Sequence, residues 1–149
     1  IATKFIELAG EVNTSMPDYV IHKTMEALNG HGKSMKGSRI LMLGLAYKPD
    51  VDDMRESPTY HLMHKAEAMG AHVEYHDPFI PVIPPTREHA AYTGRRSVAW
   101  NESNISSFDV VLIATNHKDV NYDELMAWAP LIVDTRNAVS ANSDKVHRA

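Results

Sequence analysis

The residues best equipped for chemistry lie between Gly44 and Pro58, in the run GLAYKPDVDDMRESP. It joins an apolar stretch to a helix opening, so it reads as a strand-to-helix loop that builds a site for an anionic ligand. Lys48 can act as a point donor to a phosphate or sugar oxygen, or stand as a solvated loop lysine. Arg55 lies just before a helix N-terminus, where guanidinium and helix dipole together favour an anion; pairing with Asp53 or Glu56 is the alternative. Asp50, Asp52 and Asp53 suggest a calcium loop, but the spacing lacks the glycine and distal glutamate of an EF-hand. These carboxylates read better as partners of Lys48 and Arg55, and no metal site is expected.

Other candidates stand where strands should end. Asp77 ends a second strand, where a ribose-binding acid would stand in a dinucleotide fold; an Asx turn at Asp77-Pro78 is the competing reading. Arg136 and Asn137 follow the last predicted strand. Arg136 can reach a phosphate or sugar there, or pair with Asp134. His61 and His64 share a helix face, but no further ligand stands nearby, so they read as exposed or capping residues. Arg95-Arg96 reads as solvated surface.

The elements that must position these groups follow from periodicity. Ile1, Phe5, Leu8 and Val12 form a helical stripe, and Val20, Ile21, Thr24, Met25 and Leu28 continue one after Pro17. This arm is two short helices or one bent at Pro17, with a stop at Asn29-Gly30. Arg39 to Leu45 is an apolar run of the kind buried on both faces of a sheet. A helix capped by Ser57-Pro58 and closed by Gly70 comes next, then a strand from Ala71 to His76. Residues 78–97 are proline-rich and loop-like, and Ser97 to Trp100 reads as a short edge strand. A helical turn at Ile105–Phe108, a strand at Asp109–Ala114, a helix at Tyr122–Trp128 and a strand at Leu131–Asp134 complete the order.

Strands alternating with helices imply an α/β fold: a Rossmann-like three-layer sandwich with a mostly parallel sheet, preceded by an N-terminal helical arm. The arm takes residues 1–30 and the main domain 38–140. A polar tail, 141–149, is expected to fray from about Ser140. Ligands of such sheets bind outside the C-terminal strand ends. Those ends are Gly44–Lys48, His76–Asp77, Thr115–His117 and Asp134–Asn137, all carrying polar or glycine residues.

Bulk properties limit the function classes. The formal charge of −4 argues against nucleic acid as the main partner. With no cysteine, this chain has no disulfide, cysteine-based zinc site or thiol nucleophile. No apolar run approaches a membrane span and no signal peptide is visible, so a cytoplasmic setting is expected. The chain opens at Ile1 directly in a helical pattern, as a piece of a longer protein would. The loop after the first strand carries Gly44-Leu45-Ala46 in place of G-x-G-x-x-G, which argues against NAD bound here in the usual manner.

GLAYKPDVDDMRESP, followed by HLMHKAEAMGAHVEYHDPFIP, FDVVLIATNHKDVNYDEL and LIVDTRNAV, closely resembles the C-terminal domain of the UDP-glucose/GDP-mannose dehydrogenases. The resemblance runs from Arg39 to Val139, and EVNTSMPDYVI resembles the end of that family's central, dimer-forming helix. The VDTRN ending is more similar to the UDP-N-acetylglucosamine/UDP-N-acetylmannosamine 6-dehydrogenase branch than to the UDP-glucose branch.

The resemblance implies an NAD-dependent oxidoreductase that turns the C6 hydroxyl of a UDP-sugar into a carboxylate, on the way to cell-surface polysaccharide. It implies a homodimer, with NAD held mainly by an N-terminal half that this chain lacks. Carried over by motif, Tyr47 and Lys48 contact the nucleotide sugar, Arg136 stands where a second substrate arginine is found, and Arg55 reaches the cofactor pyrophosphate. The family's thiol nucleophile has no counterpart, so no catalytic residue is assigned. By itself the chain is expected not to oxidise a UDP-sugar; detectable NAD reduction would overturn that. A rival expectation is an assembly domain with no ligand binding of its own.

Overall fold

The computed structural model describes residues 17–45, 59–85, 90–140 and 143–149. Helix α1 occupies 17–30, followed by β1 (Arg39–Leu43), α2 (Thr59–Ala68) and β2 (His72–His76). A 3-10 turn at Ala90–Tyr92 precedes α3 (Glu102–Ser106), β3 (Val110–Ile113), α4 (Tyr122–Trp128), β4 (Ile132–Asp134) and β5 (Val146–Arg148). The strands form one parallel sheet in the order β2-β1-β3-β4-β5. The expected α/β three-layer architecture is what the chain adopts.

Strand position follows from sequence pattern. From Ile40 to Leu43, from Val110 to Ile113 and from Ile132 to Asp134 every residue is buried, as central strands covered on both faces require. The outer strand β2 alternates exposed His72 and Glu74 with buried Val73 and Tyr75. Because side chains alternate across a strand, β1 feeds two cores. Ile40 and Met42 pack with Leu28 of α1 and Tyr60, Met63 and Ala66 of α2. Leu41 and Leu43 face Ile105 of α3, Phe108 just after it and Leu125 of α4.

Helix ends are closed by backbone chemistry. Gly70, at φ +93°, ends α2 in a Schellman turn, with Gly70 N donating to Glu67 O and Ala71 N to Ala66 O. The same turn closes α1 at Gly32, two residues beyond the expected stop, through Gly32 N to Asn29 O and Lys33 N to Leu28 O. Asn101 and Asn121 cap α3 and α4 by accepting from the amides of Asn104 and Glu124.

Three expectations are corrected. The tail does not fray through to its end. Val146–Arg148 is the fifth strand, paired with β4, because Lys145 Nζ caps the carbonyls of Met126 and Ala129 and Arg148 pairs with Asp134. Residues 97–100 are not a regular strand. Val98 N donates to Tyr75 O on the outer edge of β2, but Ser97 N turns away to Pro81 O. Arg95 is no simple solvated residue either, since it pairs with Glu67 at 3.2 Å and stacks 4.4 Å from the Tyr92 ring; Arg96 is exposed. The Ser57-Pro58 cap and the stripe before Pro17 lie outside the described residues.

Candidate functional site

β1 connects outward to β2 on one side, and β3 lies on its other side and leads on to β4, so the strand order reverses between β1 and β3. A crevice opens at such a point, outside the C-terminal strand ends. Its floor is Gly44 against Thr115. Gly44 has φ +93°, and a Cβ there would lie 2.6 Å from both Cβ and the carbonyl oxygen of Thr115. Only a residue without a side chain lets the two strand ends approach this closely.

The loop carrying Tyr47, Lys48, Asp50, Asp52, Asp53 and Arg55 lies outside the described residues. The residues flanking it do not. Leu45 and Thr59 are both buried, and Thr59 Oγ1 donates to the Gly44 carbonyl at 3.4 Å. Leu45 and Thr59 therefore both stand at the crevice end of β1.

Of the four strand ends singled out in the sequence, the described residues (Gly44 and Leu45, His76 and Asp77, 115–117, 134–137) lie along the same edge of the sheet. Asp77, after β2, is almost fully buried and accepts three hydrogen bonds from described residues. Its Oδ1 takes the Phe79 amide at 2.8 Å, the Asx turn anticipated at Asp77-Pro78. Its Oδ2 takes the Leu45 amide at 2.7 Å and Nε2 of His117 at 2.9 Å. The His117 side chain is fully buried, and its ring lies 4.9 Å from Phe79. Tyr122, opening α4, donates its hydroxyl to the His117 carbonyl at 2.9 Å. Both carboxylate oxygens of Asp77 thus serve the fold, which leaves it unsuited to hold a ribose.

After β4, Asp134 is equally buried. It accepts from the amides of Arg136, Ala138 and Val139 at 2.9–3.1 Å and from Arg148 Nη1 at 2.7 Å. The ion pair weighed for Arg136 therefore belongs to Arg148. Arg136 is exposed, and its Nε donates to Ala114 O at 2.9 Å, which anchors the guanidinium at the end of β3. Asn137 takes φ +54° and its Oδ1 accepts from Arg148 Nη1.

His76 sits beside these groups. Burial pushes its imidazole below the ordinary value, against the Val98 carbonyl and the Asp77 charge, which raise it. Its Nδ1 donates to Val98 O at 2.6 Å, and the ring packs 5.0 Å from Trp100. His61 and His64 are exposed on α2. Among the described residues, no cluster of three or more His, Asp or Glu side chains could hold a metal. No helix among them is long and apolar enough to cross a membrane.

Residues 41–141 match the sequence model of the UDP-glucose/GDP-mannose dehydrogenase family, UDP binding domain. The chain is 30% identical over 144 residues to UDP-glucose 6-dehydrogenase TuaD of Bacillus subtilis, covering 92% of this chain and 29% of that protein. It is 31% identical over 117 residues to UDP-N-acetyl-D-mannosamine dehydrogenase of Campylobacter jejuni, covering 78% of this chain and 27% of that one. Among solved structures, the UDP-D-ManNAc dehydrogenase from Pyrococcus horikoshii superposes with a TM-score of 0.75 at 25% identity, covering 96% of this chain and 32% of that chain. The chain thus spans about 30% of the length of the relatives it matches.

Proposed function

The chain belongs to the UDP-glucose/GDP-mannose dehydrogenase family, as its UDP-binding domain, and we propose that it holds the nucleotide sugar for an NAD-dependent oxidation of a UDP-sugar at C6. The observation that carries this reading is the switch-point crevice between β1 and β3, with the family's loop sequence rooted on its floor at Gly44 and Leu45. Lys48 supplies a cation to the diphosphate or sugar, Tyr47 packs on it, and Arg136 approaches from the neighbouring strand end.

This sheet does not fit NAD. There is one glycine where a dinucleotide turn needs three, and Asp77 is committed to Leu45, Phe79 and His117. NAD in the complete protein is assigned to another domain, with Arg55 reaching it from this one. No step of the oxidation is assigned to this chain, which works in the cytoplasm as the substrate-holding part of a larger enzyme. The matched relatives include UDP-glucose and UDP-N-acetylmannosamine enzymes at nearly equal identity. The proposed preference for an N-acetylated sugar therefore rests on the VDTRN motif alone.

Calorimetry on the 149-residue chain with UDP, UDP-N-acetylglucosamine and GDP tests the reading. Heat is expected with the two uridine ligands, and Lys48→Ala should weaken them about tenfold, the value of one hydrogen bond from a charged donor. No heat with any ligand, or an unchanged affinity in the variant, would refute the assignment. A second reading, self-assembly through α1, is favoured by Tyr19 and Met25, which stand 47% and 39% exposed. A monomer across concentrations in sedimentation would remove it.

A further inference from the structure

We propose that the outer edge of β2 is a docking site for an extended, acidic segment of a partner protein, which joins the sheet as one more strand and sets a carboxylate against Arg96. The site is separate from the nucleotide-sugar crevice and does not depend on the function proposed above.

β2 is an end strand of the sheet. His72 N donates to Ser38 O, and His76 O accepts from Gly44 N, so residues 72, 74 and 76 turn their backbone polar groups toward β1. Val73 and Tyr75 therefore turn theirs outward. Toward the crevice this outward row is covered. Tyr75 O accepts from Val98 N, and Asp77 N donates to Ser97 Oγ at 2.9 Å. The other half is open: Val73 N, Val73 O and Tyr75 N have no hydrogen-bond partner among the described residues. Donor, acceptor and donor in a row are what a chain laid beside β2 satisfies with its own backbone.

The open half lies in a groove of about 610 Å³, lined by β2, Glu67 of α2 and the pair Arg95-Arg96. The carboxylates of this groove are already engaged. Glu67 pairs with Arg95 at 3.2 Å, and Glu74 pairs with Arg39 at 3.0 Å. Arg96 is exposed and forms no ion pair among the described residues. The uncompensated charge is thus positive. Backbone pairing alone would accept any extended chain; Arg96 selects one that carries an acid. A second copy of this chain fits less well. Its own β2 edge lies in the same groove, and its Glu74 is held by Arg39.

The probe is a fluorescein-labelled peptide of sequence TVEEVT, with TVKKVT as control. Adjacent glutamates point to opposite faces of a strand, so one of them faces Arg96 in either orientation. Fluorescence anisotropy at low ionic strength reads binding, and NMR reads amide exchange in β2. The glutamate peptide should bind about tenfold more tightly than the lysine peptide, and Arg96→Glu, a change at an exposed residue, should remove about that factor. With the glutamate peptide bound, the Val73 and Tyr75 amides should exchange several-fold more slowly, while His72, already bonded to Ser38, changes less. No binding of the glutamate peptide, equal affinity for the two peptides, unchanged affinity in Arg96→Glu, or binding without protection of Val73 and Tyr75 overturns the proposal. So does protection of these amides that grows with protein concentration in the absence of peptide, because a second copy would then be the occupant.

Discussion

Replacing Gly44 by alanine should cost far more stability than the same change at Gly94, although both glycines have strongly positive φ, +93° and +86°. A left-handed backbone costs an alanine about 1–2 kcal/mol at either site. At Gly94 nothing lies within 4 Å of an added Cβ, so the cost ends there. At Gly44 the new carbon would meet Thr115 Cβ and O at 2.6 Å and Thr115 N at 2.8 Å. Two of these are backbone atoms of the chain leaving β3, so relief needs the ends of β1 and β3 to part, a distortion of about 1–3 kcal/mol. The sum, about 2–5 kcal/mol, is a large share of the roughly 5–15 kcal/mol that holds a domain together. It should lower the melting temperature by about 10 °C in a chain of this size. Urea titrations of both variants, read beside wild type, give the steric part as the difference between them. Equal losses at the two sites, or a loss at Gly44 below about 1 kcal/mol, would show that the crevice floor is not closed by this contact.

Other perturbations follow from the buried polar groups. His76, held below its ordinary value chiefly by burial, binds fewer protons folded than unfolded just below about pH 6.5. Its contribution is thus present above that pH and lost as pH falls through the folded value. His76→Gln should narrow the gap between urea midpoints at about pH 7.5 and about pH 5, and an unchanged gap would contradict the burial argument. Asp134→Ala should cost about 3–5 kcal/mol, because three amides and Arg148 lose their acceptor. Arg148→Ala, at a residue 38% exposed in its side chain, should cost only about 1 kcal/mol. Equilibrium unfolding of the pair would expose a wrong order.

The legibility of the fold differed from strand to strand for physical reasons. β1, β3 and β4 announce themselves because burial on both faces demands unbroken apolar runs. β5 has no such signature. Val146, His147 and Arg148 form a strand because of partners elsewhere in the chain, Arg148 on Asp134 and Lys145 on the end of α4. Val98 and Trp100 are strand formers, yet Ser97 N bonds to Pro81 O and Val98 N alone reaches β2, at Tyr75 O. At the site, the Asx turn of Asp77 was readable because its acceptor and donor are two residues apart. Its bond to His117 spans 40 positions and no local pattern encodes it. Arg136 was correctly placed at a strand end, but its competitor for Asp134 arrives from β5, which the polar tail concealed.

The two tryptophans of the chain, Trp100 and Trp128, stand 5.9 Å apart on one side of the sheet, and His76 lies 5.0 Å from the first. All indole emission therefore arises from the layer of α3 and α4, while Tyr60, Tyr75 and Tyr92 occupy the opposite core. The molecule carries its own optical reporter, one that watches a single layer. A protonated imidazole quenches a neighbouring indole, so the same signal that follows unfolding of this layer also titrates His76 in the native state.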